Sequence, residues 1–223
     1  MDKYLTILFT DTHFGTHNNS MTWFKSQKDF IENQFIPYLE QRKQDGYRIR
    51  VVHCGDVFDS RSTINSYIAS NVLDMFSKIC ETADKFVIVG GNHDYYSPSS
   101  DSVDTINLVF GELVLRYKHF MVVSKQKLCD VWGTENSLYT PWYEWLDQKS
   151  LIKYLKSNPV DHIFTHADLD REETKITKPT IYTGHIHTPF FKNNIKNLGS
   201  CFSLTFADCN SDRGFMSMRK AVN

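Results

Sequence analysis

Asp11 and His13 stand at i and i+2, so in an extended segment both side chains leave the backbone on one side. The same spacing returns in Gly184-His185-Ile186-His187, where Ile186 is turned the other way. Between these pairs lie Asp56 after Gly55, Asn92 after Gly90-Gly91, and His166 at the end of an apolar run through Ile163 and Phe164. Oxygen and imidazole donors without a thiolate suit manganese, iron, zinc or nickel and argue against a cysteine-type structural zinc site. Seven donors exceed the usual shell of one ion but fit two ions that share a carboxylate, with Asp56 as the bridge. Two dications offset by Asp11 and Asp56 leave a local charge of about +2, which attracts phosphate. A hydroxide bridging such ions could attack phosphorus in line. His93, next to Asn92, is the expected general acid, and Asp94 is expected to hold its tautomer.

The elements that must position these groups follow from periodicity. Tyr4 to Thr10, Arg48 to His53 and Phe86 to Val89 read as buried strands, each running into one of the motifs. Apolar residues at helical spacing from Trp23 to Lys43 and from Ile64 to Cys80 predict helices between them, with Pro37 kinking or dividing the first. Residues 95–102 read as a polar loop, followed by a short helix near Asp104 to Phe110. The second half is richer in strands: Phe120 to Ser124, Lys127 to Trp132, Ser137 to Thr140, Asp161 to Thr165, Thr180 to Thr183, Phe190 to Leu198, Cys201 to Phe206 and Phe215 to Arg219, with a helix from Leu146 to Leu155. This order predicts an α/β (α+β) fold, a two-layer β-sandwich flanked by helices, built as one catalytic domain over 1–223 without a separate capping domain.

Composition bounds the function. At 41% hydrophobic residues in 223 there is a sizeable core to fill, so disorder is excluded. Net charge is −1, with −4 in the first 111 residues and +3 in the rest, which is far from the footprint of a protein that grips nucleic acid by charge alone. The cysteines Cys54, Cys80, Cys129, Cys201 and Cys209 are odd in number and never spaced as CxxC, which predicts reduced thiols. No run approaches the roughly 20 apolar residues of a membrane span, and no signal-like segment opens the chain. A soluble cytoplasmic protein is expected, with a phage-infected host as one setting.

Asp11-Thr12-His13, Gly55-Asp56-Val57-Phe58-Asp59, Gly91-Asn92-His93-Asp94, His166 after a strand and Gly184-His185-Ile186-His187 together resemble the ordered motifs of the calcineurin-like metallophosphoesterases. The resemblance spans residues 11 to 187 and implies a two-metal phosphoester hydrolase of four-layer αββα architecture. One metal would take Asp11, His13, Asp56 and His187, the other Asp56, Asn92, His166 and His185, and His93 matches the catalytic histidine. Manganese is the expected ion, with iron, zinc, nickel or magnesium as alternatives. Asp11-Thr12-His13-Phe14-Gly15, Asp56-Val57-Phe58-Asp59-Ser60-Arg61, Asn197-Leu198-Gly199-Ser200 and Asp212-Arg213-Gly214-Phe215 are more narrowly similar to the DNA-repair nuclease branch, the SbcD-type and phage recombination endonuclease subunits. That implies DNA as substrate in recombination and repair, an SMC-like ATPase partner, and a homodimer through helices near residues 64 to 80 and 98 to 115. Some nucleases of the branch carry histidine where Asp59 stands, and they usually continue into a capping domain and an ATPase-docking segment, whereas this sequence stops at Asn223.

Other readings stay open beside these. A small-molecule phosphodiesterase or phosphatase would use the same chemistry, and a scaffold protein could retain an inactive centre. Arg61 and Arg213 border the motifs and are the expected substrate-binding groups. His53 reads as a core residue and His17, in a polar loop after the first motif, as a solvated residue with an approach to substrate as the alternative; His162 replaces His166 as ligand if the strand register shifts. Tyr95, Tyr96 and Trp142 suit either base stacking or cover of a core edge. Lys149, Lys153 and Lys156 read as a solvated helix face.

Overall fold

Strands buried on both faces call for a parallel sheet with covered sides, and the computed structural model, which describes residues 3–97, 100–131, 135–145, 147–169, 176–205, 208 and 212–220, contains two such sheets. The first runs β13-β1-β2-β3-β6, from Met216–Lys220, Lys3–Phe9, Tyr47–His53, Lys85–Val89 and Phe120–Val123. β1, β2, β3 and β6 are parallel, and β13 lies antiparallel on the edge. The second runs β11-β12-β10-β9-β8-β7, from Phe190–Lys192, Ile195–Asn197, Thr180–Thr183, His162–Thr165, Glu135–Thr140 and Lys127–Val131. Its four central strands are parallel, with antiparallel strands at both edges.

Three apolar layers hold the sheets and helices together. Leu8, Val52, Val87 and Val89 of the first sheet meet Tyr139, Phe164 and Tyr182 of the second to form the inter-sheet core. Leu5, Ile7, Val51 and Phe86 face the other way, onto helices Met21–Phe30, Ile36–Gln44, Ser66–Thr82 and Thr105–Arg116. Leu151 of helix Gln148–Ser157 covers Leu138, Ile163 and Ile181 on the outer side of the second sheet. The order is helix, sheet, sheet, helix, as the strand and helix periodicities predict.

Several local expectations change. The helix around Pro37 is divided by a π-helical turn, Ile31–Phe35, because proline offers no N–H to the carbonyl four residues earlier and the backbone widens just before it. The predicted loop after Asp94 is a hairpin, Tyr95–Ser97 with Ser100–Asp104. Phe190 to Leu198 is a hairpin rather than one strand, with Asn193 in the left-handed conformation at its turn. The described part of the predicted strand from Cys201 forms turns, because the Asp208 carboxylate accepts the N–H groups of Leu204 and Thr205. Asp147 caps the helix that was expected to begin at 146 by accepting from Ser150 N–H. Trp132, Leu146, Phe206 and Cys209 lie outside the described residues; Cys54, Cys80, Cys129 and Cys201 are free thiols. No helix among the described residues is long and apolar enough to cross a membrane.

A buried ion pair is among the polar links between the sheets. Arg50 of β2 has no solvent exposure, and its guanidinium reaches Glu135 Oε1 at 2.5 Å and Ser137 Oγ at 2.8 Å on β8. Glu135→Ala strands a buried cation and should destabilise the protein by about 3–5 kcal/mol. In urea denaturation the paired replacement Arg50→Met with Glu135→Leu should recover most of that loss; equal loss in both variants would show that the pair does not act as a unit.

Candidate metal centre

Parallel strands end at one pole, and the ligand-type residues follow those ends: Asp11 after β1, Asp56 after β2, Asn92 after β3, His166 after β9 and His185 after β10. The ladder between β1 and β2 continues irregularly past both strands. Asp11 N–H donates to Gly55 O at 3.0 Å, His13 N–H to Asp56 O at 3.1 Å and Phe14 N–H to Val57 O at 2.8 Å. To sustain it, Asp11, His13 and Asp56 adopt left-handed backbone with φ of 51°, 42° and 57°, and His185 does so at 78°. Non-glycine residues in this region carry strain that recurs at functional sites. Gly184 packs against Thr10, Asp11 and His166, and a Cβ there would lie 2.6 Å from Asp11 Oδ2, so only glycine lets the second sheet's loop close on the first.

The seven predicted ligands converge. Ligand atoms of Asp11, His13 and His187 lie within 4.8 Å of one another, as do those of Asp56, His166 and His185, and those of His13, Asp56 and His93. The Asn92 amide oxygen is 2.9 Å from His185 Nδ1 and 3.1 Å from His166 Nε2. His166 Nδ1 donates to Cys54 O at 2.8 Å, which leaves Nε2 as a lone pair in the neutral ring, directed at Asp56 Oδ2 3.2 Å away. The register places His166 in the cluster, while His162 starts β9 and lies 3.5 Å from Glu135 Oε2.

The donor set fits divalent cations. His13 is buried, yet neither ring nitrogen makes a hydrogen bond; Nε2 stands 3.7 Å from Asp11 Oδ1 and 3.6 Å from Asp56 Oδ2. Those separations exceed a hydrogen bond and suit groups arranged around an ion. One end of the Asn92 amide lies among Asp56 Oδ2 and the two imidazoles, and Arg61 Nη2 lies 3.1 Å from its other end.

Charges at the metal-free centre compensate one another. Burial opposes ionisation of Asp11 and Asp56, but the His166 cation overrides it and draws both carboxyls below their usual range. Burial also opposes protonation of His13 and His166; carboxylates override it, Asp11 and Asp59 raising His13 to about 10, Asp56 and Asp11 raising His166 to about 9. His185 is lowered to about 4 by burial and by the His166 charge, and burial lowers His187 too.

Two expectations are corrected. Asp94 does not hold His93: its buried carboxylate accepts backbone N–H from Asp56 at 2.9 Å, Val57 at 3.0 Å and Gly91 at 2.9 Å, tying the β2 and β3 loops together. The His93 partner is the Asp59 carbonyl, 2.5 Å from Nδ1. Arg213 does not face a substrate site; its guanidinium is turned inward onto His187 O, Ser200 Oγ at 2.8 Å and Asp208 Oδ1 at 3.0 Å. Arg61 stays beside the cluster. Tyr95 is buried and Tyr96 exposed, and Trp142 lies over the His185 ring at 4.7 Å.

Sequence reasoning missed several groups. Asp59 Oδ1 is 3.3 Å from His13 Nδ1. His53, fully buried as expected, also braces two ligand loops: Gly55 N–H donates to Nδ1 at 3.2 Å, and Nε2 lies 3.0 Å from Thr12 Oγ1, whose hydroxyl donates to Val57 O. Gln27, from the first helix, donates to Thr12 O at 2.6 Å. A fully buried His53 was legible; its partners, distant in sequence, were not.

These charges set a pH dependence. In the metal-free protein, charged His13 and His166 stabilise the fold fully below the unfolded value of about 6.5, and this is lost as pH rises through about 9 and 10. Metal ions displace the same protons, so apparent affinity should increase across that window. Thermal denaturation of chelator-treated protein should show Tm falling as pH rises from 6.5, and the Tm gain on adding Mn²⁺ growing. A gain independent of pH would mean these histidines hold no metal.

Comparison with known proteins agrees with this geometry. Exonuclease subunit 1 of Enterobacteria phage T4 is 24% identical over 196 residues, which cover 79% of this chain and 54% of that protein. The chain thus spans about half the length of that relative. The crystal structure of a 5'-nucleotidase precursor from Thermus thermophilus matches at a TM-score of 0.51 and 12% identity, over 97% of this chain and 54% of that one, a likeness of fold. Residues 5–189 match calcineurin-like phosphoesterase. With the sandwich, the strand-end ligands and this match in place, the chain belongs to the calcineurin-like phosphoesterase family, a family of hydrolases that use divalent metals.

Proposed function

We propose that the protein is a two-metal phosphodiester hydrolase that acts on DNA as a nuclease of the recombination-repair type. The observation that carries the hydrolase reading is the convergence of His13, Asp56 and His93 on one point beside the other ligand-type groups. Similarity to a phage exonuclease subunit supports DNA as the substrate.

One ion would be held by Asp11, His13, Asp56 and His187, and the second by Asp56, Asn92, His166 and His185. When bound, two divalent ions, manganese in our reading, supply water activation and neutralise phosphoryl charge. The protein's own part is proton transfer and placement. With Nδ1–H fixed on the Asp59 carbonyl, protonated His93 presents its Nε2 proton to the leaving oxygen. Asp94 keeps the Asp56 and Asn92 loops in register, and Arg61, next to the Asn92 amide, takes a phosphoryl oxygen. A small-molecule phosphodiesterase or phosphatase is the second reading, favoured by the modest cavity of about 320 Å³ at the centre and the near-neutral net charge.

We read residues 1–223 as one catalytic domain that works in the cytoplasm, with an SMC-like ATPase as partner and a homodimer as the working state. The dimer is supported by apolar side chains on one helix, Thr105–Arg116, where Leu108 is 77% and Leu115 86% exposed.

Purified protein with Mn²⁺ should cleave single- or double-stranded DNA as well as bis(p-nitrophenyl) phosphate. His93→Ala should lower kcat by about 10²–10⁴-fold with both metals retained by elemental analysis. Cleavage of the small ester without DNA would sink the nuclease reading, and metal loss in the variant would assign His93 to coordination. Light scattering should show a dimer that Leu108→Glu with Leu115→Glu converts to monomer; a monomeric wild type would remove the dimer.

A further inference from the structure

The cavity at the metal centre is lined, besides its ligand-type residues, Asp59 and His93, by a wall of Thr16, His17, Leu204 and Thr205. Its volume of about 320 Å³ equals roughly ten waters at about 30 Å³ each, so a phosphoryl group and the first sugar attached to it fit together. On that wall His17 alone can carry positive charge.

Its placement is costly and fixed from three sides. His17, Asn18 and Asn19 are consecutive residues in left-handed backbone, with φ of 51°, 61° and 61°. Side chains disfavour that conformation by roughly 1–2 kcal/mol per residue, and it persists where the surroundings over-determine it. Here the turn is tied back to the ligand loop, with Thr16 N–H donating to His13 O at 3.0 Å and Asn19 N–H to Gly15 O at 2.8 Å. The imidazole stacks on Trp23 with centroids 4.4 Å apart and planes 18° apart. Its Nε2 lies 2.9 Å from Leu204 O and donates to it. Leu204 is in turn held by Asp208, which Arg213 anchors to Ser200 and His187. Nδ1 has no hydrogen-bond partner among the described residues.

We propose that His17 is a substrate contact, donating from Nδ1 to a non-reacting oxygen of a phosphodiester on the side away from the metals. This rests on the two-metal reading of the centre and adds a contact to the phosphoryl group from the side away from the metals. With Nε2–H on Leu204 O, donation from Nδ1 to the diester uses the second N–H of the ring. Arg213, which cannot touch the substrate, acts here as a positioning residue that holds the Leu204 carbonyl under the ring.

The test uses the full chain loaded with Zn²⁺, and His17→Phe, which keeps the Trp23 stack and removes both nitrogens. Calorimetric binding of a phosphorothioate-linked thymidine dinucleotide should weaken by about tenfold to a hundredfold in the variant. Binding of inorganic phosphate, which presents an oxygen of the same kind, should weaken in the same direction, while zinc content and Tm should be unchanged. His17→Gln, with a donor in place of the ring, should recover part of the loss. Equal dinucleotide affinity in wild type and His17→Phe overturns the contact. Wild type that binds phosphate but not the dinucleotide overturns the contact to a diester; wild type that binds neither overturns the metal-centre reading on which the proposal stands.

Discussion

Asp11 and Asp56 are almost completely withdrawn from water and lie at the ends of adjacent parallel strands. Ionised carboxylates in such surroundings need donors and positive charge at close range, and the neighbouring structure is arranged to provide them. Asp11 accepts the Thr10 hydroxyl at 2.8 Å and the His185 N–H; Asp56 accepts the His93 N–H at 2.8 Å. The oxygens left over face His13, His166 and His187. Meeting this demand takes loops from both sheets, which is why the inter-sheet core, the Gly184 close approach and the left-handed ligand residues belong to one problem. Strain at Asp11, His13 and Asp56 is tolerable because backbone hydrogen bonds between the two strand extensions leave those residues little alternative, and at His185 the N–H is held by the Asp11 carboxylate.

What could be read in advance divides along a physical line. Every predicted ligand sits where a strand ends, and strand ends are visible as apolar runs stopping at glycine or a polar residue. The αββα layering was equally legible, since helices with one apolar face and strands apolar throughout can only be stacked in a few ways. Roles that depend on which atom meets which were not legible. Asp94 follows His93 directly in sequence, so pairing them was the natural inference, yet its carboxylate turns to three backbone amides while a carbonyl 34 residues earlier takes His93. Arg213 borders a motif but spends its guanidinium on the loop that shapes the cavity. Turn and hairpin positions failed for a related reason: Asp208 and Asn193 satisfy or bend the backbone locally, and no apolar periodicity records that.

Family membership fixes a hydrolase on a known scaffold; specificity comes from the groups around it. The phage relative is nearly twice as long as the aligned region, so the comparison concerns about half of that protein. Within that portion, the ligand side of the cavity is built from strand ends common to the whole architecture. The opposite side is built from a left-handed turn and an Asp208-capped loop that have no counterpart in the sheet.

His53 lies beneath all of this. Burial holds its pKa down at about 3, and its two hydrogen bonds join the loops carrying Asp11, His13 and Asp56 while the ring remains neutral. The clamp therefore draws on no charge and no metal. Mild acid reaches the Asp94 carboxyl, which burial raises to about 7, before it reaches His53, so the His53 link between the loops outlasts the charged ties around it. His53 thus stays neutral throughout the range in which His13 and His166 gain and lose their charge, and the link it makes does not depend on theirs.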